Sequence, residues 1–243
     1  MTSAELFDAM KYGSESKREG RSNDDLGRFG LGLKAASLSQ CRKLTVVSKK
    51  DNVISAYIWD LDIIEEKRDW FVIECSEEQI SNIKFVDYLQ DKKSGTVVLW
   101  ENFDIIQKST GDVYASLNNH MSEVADYLSL IFHRFLNRSD KQKVSIFVNN
   151  FKLKGLDPFL ENHSKTNIRR EIKITIPDSD GVEHIVKVQP YILPFQKDLT
   201  PDDKKLSGGM ENYRSKQGFY IYRNERLIVW GTWFNRHRDE LTK

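Results

Sequence analysis

An α+β fold in two modules is the architecture this sequence predicts, and three observations predict it. Helix-type and strand-type hydrophobic periods alternate through the first half of the chain. Strand-type runs predominate in the second half. Between the two halves lies the clearest amphipathic helix of the sequence, and the module boundary is expected just after it, near residues 137–143.

The elements follow in chain order. "SAELFDAM" reads as a short helix capped by Ser3, with Leu6, Phe7 and Met10 as its apolar stripe. The polar, glycine-punctuated stretch "KYGSESKREGRSNDD" reads as a loop. "GRFGLGLKAAS" then opens a helix expected over residues 31–40, filled by the strong helix formers Leu33, Lys34, Ala35, Ala36 and Leu38. "KLTVVSKK" and "VISAYIWDLD" are β-rich runs joined at a hairpin turn, Lys50-Asp51-Asn52. "DWFVIEC" is a third strand candidate, "SEEQISNIKFVDYLQD" starts with a capping signal and is helical, and "SGTVVLWENF" is a strand entered through Gly95. In the central helix Met121, Val124, Ala125, Leu128, Phe132 and Phe135 recur at three- and four-residue steps, so one face is apolar. Beyond it come "KVSIFVNNFKL" with a turn at Asn149-Asn150, a hairpin around Asp178-Ser179-Asp180-Gly181, a long polar loop "DLTPDDKKLSGGMENYRSKQ", and the hairpin "GFYIYRNERLIVWG" turning at Arg223-Asn224-Glu225.

Composition bounds the function. The chain has 243 residues, of which 39% are hydrophobic and 30% charged, which suits a globular core rather than disorder. Lys and Arg number 37 against 36 Asp and Glu, a net charge of +1 that neither demands nor excludes a nucleic-acid partner. No apolar run approaches the roughly 20 residues a membrane helix requires. "MTSAELFDAMKYG" has neither the basic nor the apolar region of a secretory signal. Cys41 and Cys75 form no CxxC pair and the five histidines are scattered, so a reduced, cytoplasmic protein without a protein-built metal site is expected.

The glycine stretch carries the chemistry. Gly27, Gly30 and Gly32 precede a helix whose first backbone N–H groups lack partners, an arrangement that accepts phosphate oxygens. The alternative is a loop–helix junction with glycines for turn geometry. It is not a Walker A loop, because Lys34 precedes alanine, and no strand leads directly into it as a dinucleotide fingerprint requires.

Gly27-Arg28-Phe29-Gly30-Leu31-Gly32-Leu33-Lys34 resembles the second glycine box of the GHKL ATPases, which include gyrase B, the Bergerat-fold heat-shock chaperones, histidine kinases, MutL and the MORC proteins. Tyr12-Gly13-Ser14-Glu15-Ser16-Lys17 resembles the "G-x-S-x-K" lid segment of the MutL and MORC branch, and Gly95-Thr96-Val97-Val98-Leu99 its "GT" strand. Residues 218–228, "GFYIYRNERLI", resemble a hairpin of that branch's transducer domain. The resemblance implies a Bergerat-type ATPase α/β sandwich over residues 1–110, a connecting helix over 111–138 and a ribosomal-protein-like β–α transducer over 139–243. It implies ATP and Mg²⁺ as cofactors, an ATP-dependent homodimer or a complementing N-terminal segment, and a DNA-related process.

By the same resemblance Ser14, Ser16 and Lys17 belong to the lid, and Gly27, Arg28, Phe29, Gly30, Leu31 and Gly32 wrap the phosphates. Lys34 reaches phosphate or is an exposed helix lysine. Thr96 holds the adenine through water or is a plain strand threonine. Lys216 is the first candidate for the transducer lysine at the γ-phosphate, ahead of Lys204 and Lys205, the alternative for each being a solvated loop lysine. Arg223, Arg226, Arg236, His237 and Arg238, interleaved with aromatics, suit nucleic acid or a solvated surface. The family's catalytic glutamate, Mg²⁺-binding asparagine and adenine-reading aspartate would precede Met1. The Mg²⁺ ligand is therefore expected outside the chain, and a truncated, non-hydrolysing binding module is the competing expectation. Glu5 and Asp8 read as the solvated first turns of a helix rather than substitutes.

Overall fold

Strand β1 (Cys41–Lys50) organises the N-terminal unit because it is buried on both sides. Its run Leu44-Thr45-Val46-Val47-Ser48 puts an aliphatic or small side chain on each face, the pattern of a strand covered twice. The computed structural model describes residues 1–11, 26, 32–103, 113–141, 143–209, 213 and 215–234. These divide between two compact units, Met1–Asn119 and His120–Lys243.

In the first unit β2 (Val53–Asp60) pairs antiparallel with β1 through a two-residue turn in which Asp51 and Asn52 take φ of 52° and 64°. Asp and Asn tolerate this left-handed backbone, and its twist matches the strands it joins. On the other side of β1 lies β4 (Gly95–Phe103), also antiparallel, and β3 (Ile73–Glu74) borders β2, giving the order β3-β2-β1-β4. One sheet face carries Leu44, Val46, Tyr57 and Trp59, packed with Leu6 and Met10 of α1 (Ser3–Met10) and Ile64 of α3 (Leu61–Lys67). Burial of Leu6 and Met10 stabilises this layer by about 2 kcal/mol each. The opposite face carries Val47 and Ala56, covered by Leu89 and Cys75 and flanked by Ile80 of α4 (Glu77–Ser81) and Val86 of the 3-10 turn Val86–Leu89. Helix α2 (Gly32–Leu38) packs on β1.

The division between units falls inside α5 (Val113–Ile131). The stripe predicted for it is not its buried face: Val124 is exposed and Met121, Ala125, Leu128, Phe132 and Phe135 are half-buried, whereas the buried positions include Ser129 and Ile131, followed by His133 and Leu136 of α6 (His133–Leu136). The second unit holds four two-stranded antiparallel ribbons among the described residues. They are β5 (Phe147–Val148) with β6 (Phe151–Lys152), β7 (Asn167–Ile168) with β10 (Tyr191–Ile192), β8 (Ile172–Pro177) with β9 (Glu183–Val188), and β11 (Phe219–Arg223) with β12 (Arg226–Thr232). Leu160, Leu199 and Tyr213 form its compact apolar cluster.

Four local expectations are corrected. The cap of α1 is Thr2, not Ser3: its hydroxyl accepts from the Glu5 N–H while the Glu5 carboxylate accepts from the Thr2 N–H, closing a capping box. The third strand shrinks to Ile73–Glu74, which pair with Ile58 and Tyr57 of β2. The glycine helix spans Gly32–Leu38 among the described residues. The polar stretch after Asp198 contains a helix, α7 (Pro201–Leu206), set by Thr200 capping Asp203 and by proline in the first turn.

Candidate functional site

Directly paired residues of neighbouring strands point to the same side of a sheet. Thr96, Val98 and Trp100 of β4 pair with Ser48, Val46 and Leu44 of β1, so they belong to the face that α1 covers. Over β4 this cover is missing among the described residues: Val98 is 44% and Trp100 38% exposed, although Val46 and Leu44 beside them are fully buried. The result is an open strip on an otherwise packed face, with one hydroxyl, one aliphatic and one indole in line.

Both ends of the strip are tied. At one end the Ser48 hydroxyl accepts from the Met1 ammonium at 2.7 Å and lies 3.4 Å from the Thr96 hydroxyl. This brings Thr96 and the start of the chain together around a fully buried serine. At the other end the Trp100 indole N–H donates to the Ser37 hydroxyl of α2 at 2.9 Å, fixing the glycine helix beside β4. The "GT" pair divides its labour. A Cβ on Gly95 would stand 2.8 Å from a Leu89 methyl, so Gly95 serves packing, whereas the Thr96 side chain is exposed on the strip. Lys49, on the far face, donates to the Leu89 and Gln90 carbonyls at 3.0 and 2.6 Å and ties the preceding turn to the sheet.

Gly32, the first residue of α2, has open space where a Cβ would stand, so nothing among the described residues excludes a side chain there. Lys34 matches neither alternative read from the sequence. It is 1% exposed, and its ammonium donates to the Lys11 carbonyl at the end of α1. Beside it the Trp59 indole N–H donates to the Met10 carbonyl at 2.9 Å. Two donors thus satisfy carbonyls that the helix leaves without partners, and a cation is favoured at that negative end. Burial lowers the Lys34 pKa.

The acids of α1 are also committed. Glu5 pairs with Lys50 at 3.0 Å and caps its own helix; the Thr2 N–H, then Lys50, holds its pKa down to about 2. Asp8 pairs with Lys11 at 2.7 Å. Among the described residues no three His, Cys, Asp or Glu side chains converge as a metal cluster.

In the second unit Lys216 is exposed, its carbonyl accepting from the Tyr220 hydroxyl at 2.9 Å. Lys204 and Lys205 lie in the last turn of α7. Arg226 stands over the Phe132 ring at 5.5 Å, and both Arg223 and Arg226 are half-buried rather than freely solvated. Arg134 stacks on Tyr222 at 3.7 Å, and His133 shares a 2.8 Å hydrogen bond with the Tyr222 hydroxyl. Ser14, Ser16, Lys17, Gly27, Arg28, Phe29, Gly30, Leu31, Arg236, His237 and Arg238 lie outside the described residues.

Sequence reasoning missed Ser37, Ser48 and Trp100. Ser48 left a slight signal, a small hydroxyl between Val47 and Lys49 in a β-rich run. Ser37 and Trp100 left none, because their meeting depends on how α2 lies against β4.

Residues 1–96 match the family model of histidine kinase-, DNA gyrase B- and HSP90-like ATPases. The match ends at Thr96 and covers less than half of the chain. No curated protein matches the chain. The matched region supports a GHKL-type ATPase fold and, with it, ATP as the ligand, commonly with Mg²⁺. No described helix is long and apolar enough to cross a membrane.

Proposed function

We propose that the N-terminal unit is a GHKL-type nucleotide-binding domain of the MutL and MORC branch, and that ATP lies along the open strip of β4. The observation that carries this reading is the uncovered Thr96–Val98–Trp100 face, which starts at the last residue of the region that matches the family. Val98 offers an apolar seat for the base and Thr96 a hydroxyl for its polar edge. Open space at Gly32 is consistent with close approach of a ligand to the backbone that begins α2.

In this reading residues 1–110 form the ATPase domain, 111–138 a connecting helix and 139–243 the transducer. Ser14, Ser16 and Lys17 with Gly27, Arg28, Phe29, Gly30, Leu31 and Gly32 form the lid. Lys216 is the transducer lysine directed at the γ-phosphate. ATP closes the lid and drives pairing of two copies in a DNA-related process. Lys34 acts by holding the end of α1 rather than by touching phosphate, because its ammonium is already engaged with Lys11.

A second reading, ATP binding without turnover, is favoured by the acids of α1. Activation of water for attack on the γ-phosphate requires a carboxylate available as a base. Glu5 and Asp8 are occupied by a cap and by lysines.

One titration tests the proposal. Trp100 borders the strip, so tryptophan fluorescence is followed as ATP with Mg²⁺ is added to millimolar concentration. A saturating change is expected, and Thr96→Val is expected to weaken it about ten-fold, the worth of one well-made hydrogen bond. A flat titration, or one indifferent to Thr96→Val, removes the strip as the ATP site. Phosphate release measured alongside separates the two readings: background turnover supports binding alone.

A further inference from the structure

The β8–β9 ribbon is the least covered part of the described structure. Its register pairs Ile172 with Val188, Ile174 with Val186 and Ile176 with His184, so one face is nearly all aliphatic. The other face pairs Lys173 with Lys187, Thr175 with Ile185 and Pro177 with Glu183. All of these residues except Val188 are exposed, and neither strand has a further paired strand among the described residues. A two-stranded ribbon open on both faces and both edges is marginal by itself in water, and an unblunted edge is a template for another strand.

The ribbon is nonetheless firmly built at its turn. The Asp178 carboxylate accepts from the N–H groups of Asp180 and Val182, both at 2.9 Å, and its other oxygen lies 2.8 Å from the His184 ring. Gly181 supplies the left-handed step at φ 78°. The turn therefore sets the register, and with it the side chains that the outer edge presents.

We propose that β9 pairs antiparallel with β9 of a second copy of this chain, about a two-fold axis at Ile185. The argument is charge complementarity. Within the ribbon Lys187 faces the like charge of Lys173 and Glu183 faces Pro177, and neither Lys187 nor Glu183 has an ion pair among the described residues. The sequence Glu183-His184-Ile185-Val186-Lys187 is self-complementary about its centre. In the antiparallel pair Glu183 of each copy stands opposite Lys187 of the other, so both unpaired charges find partners and the Lys173–Lys187 repulsion is relieved. Ile185, 66% exposed and set between those charges, meets its own copy, and Val182 meets Val188. The edge of β8 does not compete. Its one self-complementary step, Glu171 to Lys173, is centred on the strand's first residue, and Pro177 at its far end lacks an N–H. The product is a closed four-stranded sheet, β8-β9-β9-β8.

This pairing is independent of the nucleotide, so its test contains none, and its outcome leaves the ATP titration untouched. The full chain is followed by sedimentation velocity across concentration, with thermal melts to verify that each variant folds. The wild type is expected to dimerise. Glu183→Lys and Lys187→Glu, which each put two like-charged pairs across the axis, are expected to raise the dimer dissociation constant at least about ten-fold. Glu183→Lys combined with Lys187→Glu in one chain restores the dimer, because the charges are merely exchanged. An equimolar mixture of the two single variants forms a heterodimer, because every charge again meets its opposite. A wild type that stays monomeric at all concentrations overturns the proposal. So does a dimer that ignores the single substitutions, or single variants that fail to combine.

Discussion

His133 is a histidine that the fold keeps neutral. It is 4% exposed, and burial first, then the neighbouring Arg134 charge, lowers its pKa from 6.5 to about 4. Its Nε2 lies 2.8 Å from the Tyr222 hydroxyl, which can donate to the neutral ring or accept from it. The folded protein takes up this proton only near pH 4, whereas the unfolded chain takes it up near 6.5. Acidification between those values therefore favours unfolding, and the contribution is fully present above 6.5. Across the window it amounts to about 3 kcal/mol at most. Urea unfolding of wild type and His133→Gln at pH 7 and at pH 4.5 checks this: the wild type should lose more stability on acidification than the variant does. Equal losses would show that His133 does not titrate with folding. Neither this histidine nor Lys34 announced its role in the sequence. A lone histidine in an amphipathic helix reads the same whether it is buried or wet. Lys34 looked like a helix-surface lysine or a phosphate ligand, because the carbonyl that it caps lies 23 residues earlier in the chain.

At the scale of elements, turn chemistry was the most legible signal. Asp51-Asn52, Asn149-Asn150 and Asn224-Glu225 all take left-handed backbone at the tips of hairpins, and the first two are residue types that favour it. Less legible were the short pieces. Residues 69–75 have strand composition, but pairing partners decide how many of them become strand, and β2 offers Tyr57 and Ile58. The β11–β12 hairpin hides a further constraint at Gly218. This residue sits at φ 140°, and a Cβ there would stand 2.6 Å from the Thr232 carbonyl oxygen and 2.7 Å from its nitrogen. Backbone cannot yield as a flexible side chain can, and the φ itself is strained for any other residue. Gly218→Ala should therefore open the ladder between Phe219 and Thr232 and cost about 2 kcal/mol or more. Gly181→Ala, left-handed but with open space around its Cβ, should cost less. Comparing the two variants by thermal unfolding isolates the collision from the backbone term; equal losses would mean that the Thr232 contact carries no weight.

The whole molecule contrasts one sheet packed on two sides with a set of thin ribbons. The first unit was legible as α+β because β1 announces itself through its β-rich run Leu44-Thr45-Val46-Val47 and α1 through its stripe. The open strip on β4 was not, since alternation marks one side of a strand as covered without saying how far a helix reaches across it. In the second unit the two long hairpin signals held, whereas "KVSIFVNNFKL" kept only Phe147–Val148 and Phe151–Lys152 as strand, and the sequence does not reveal that β8 and β9 meet no third strand among the described residues. Local stability should follow this contrast, because amides open according to the packing and pairing that hold them. Hydrogen exchange read by mass spectrometry is expected to be slowest at Leu44–Ser48, where the strand is paired on both edges and covered on both faces. At protein concentrations below dimer formation, peptides spanning 172–188 should exchange among the fastest of the paired strands. Raising the concentration should then slow exchange in β9 more than in β8, because only β9 gains a neighbour when the two-fold sheet forms. Protection of β8–β9 that is high and independent of concentration would show that the ribbon is already covered within one chain, and the edge proposed for the second copy would not be available to it.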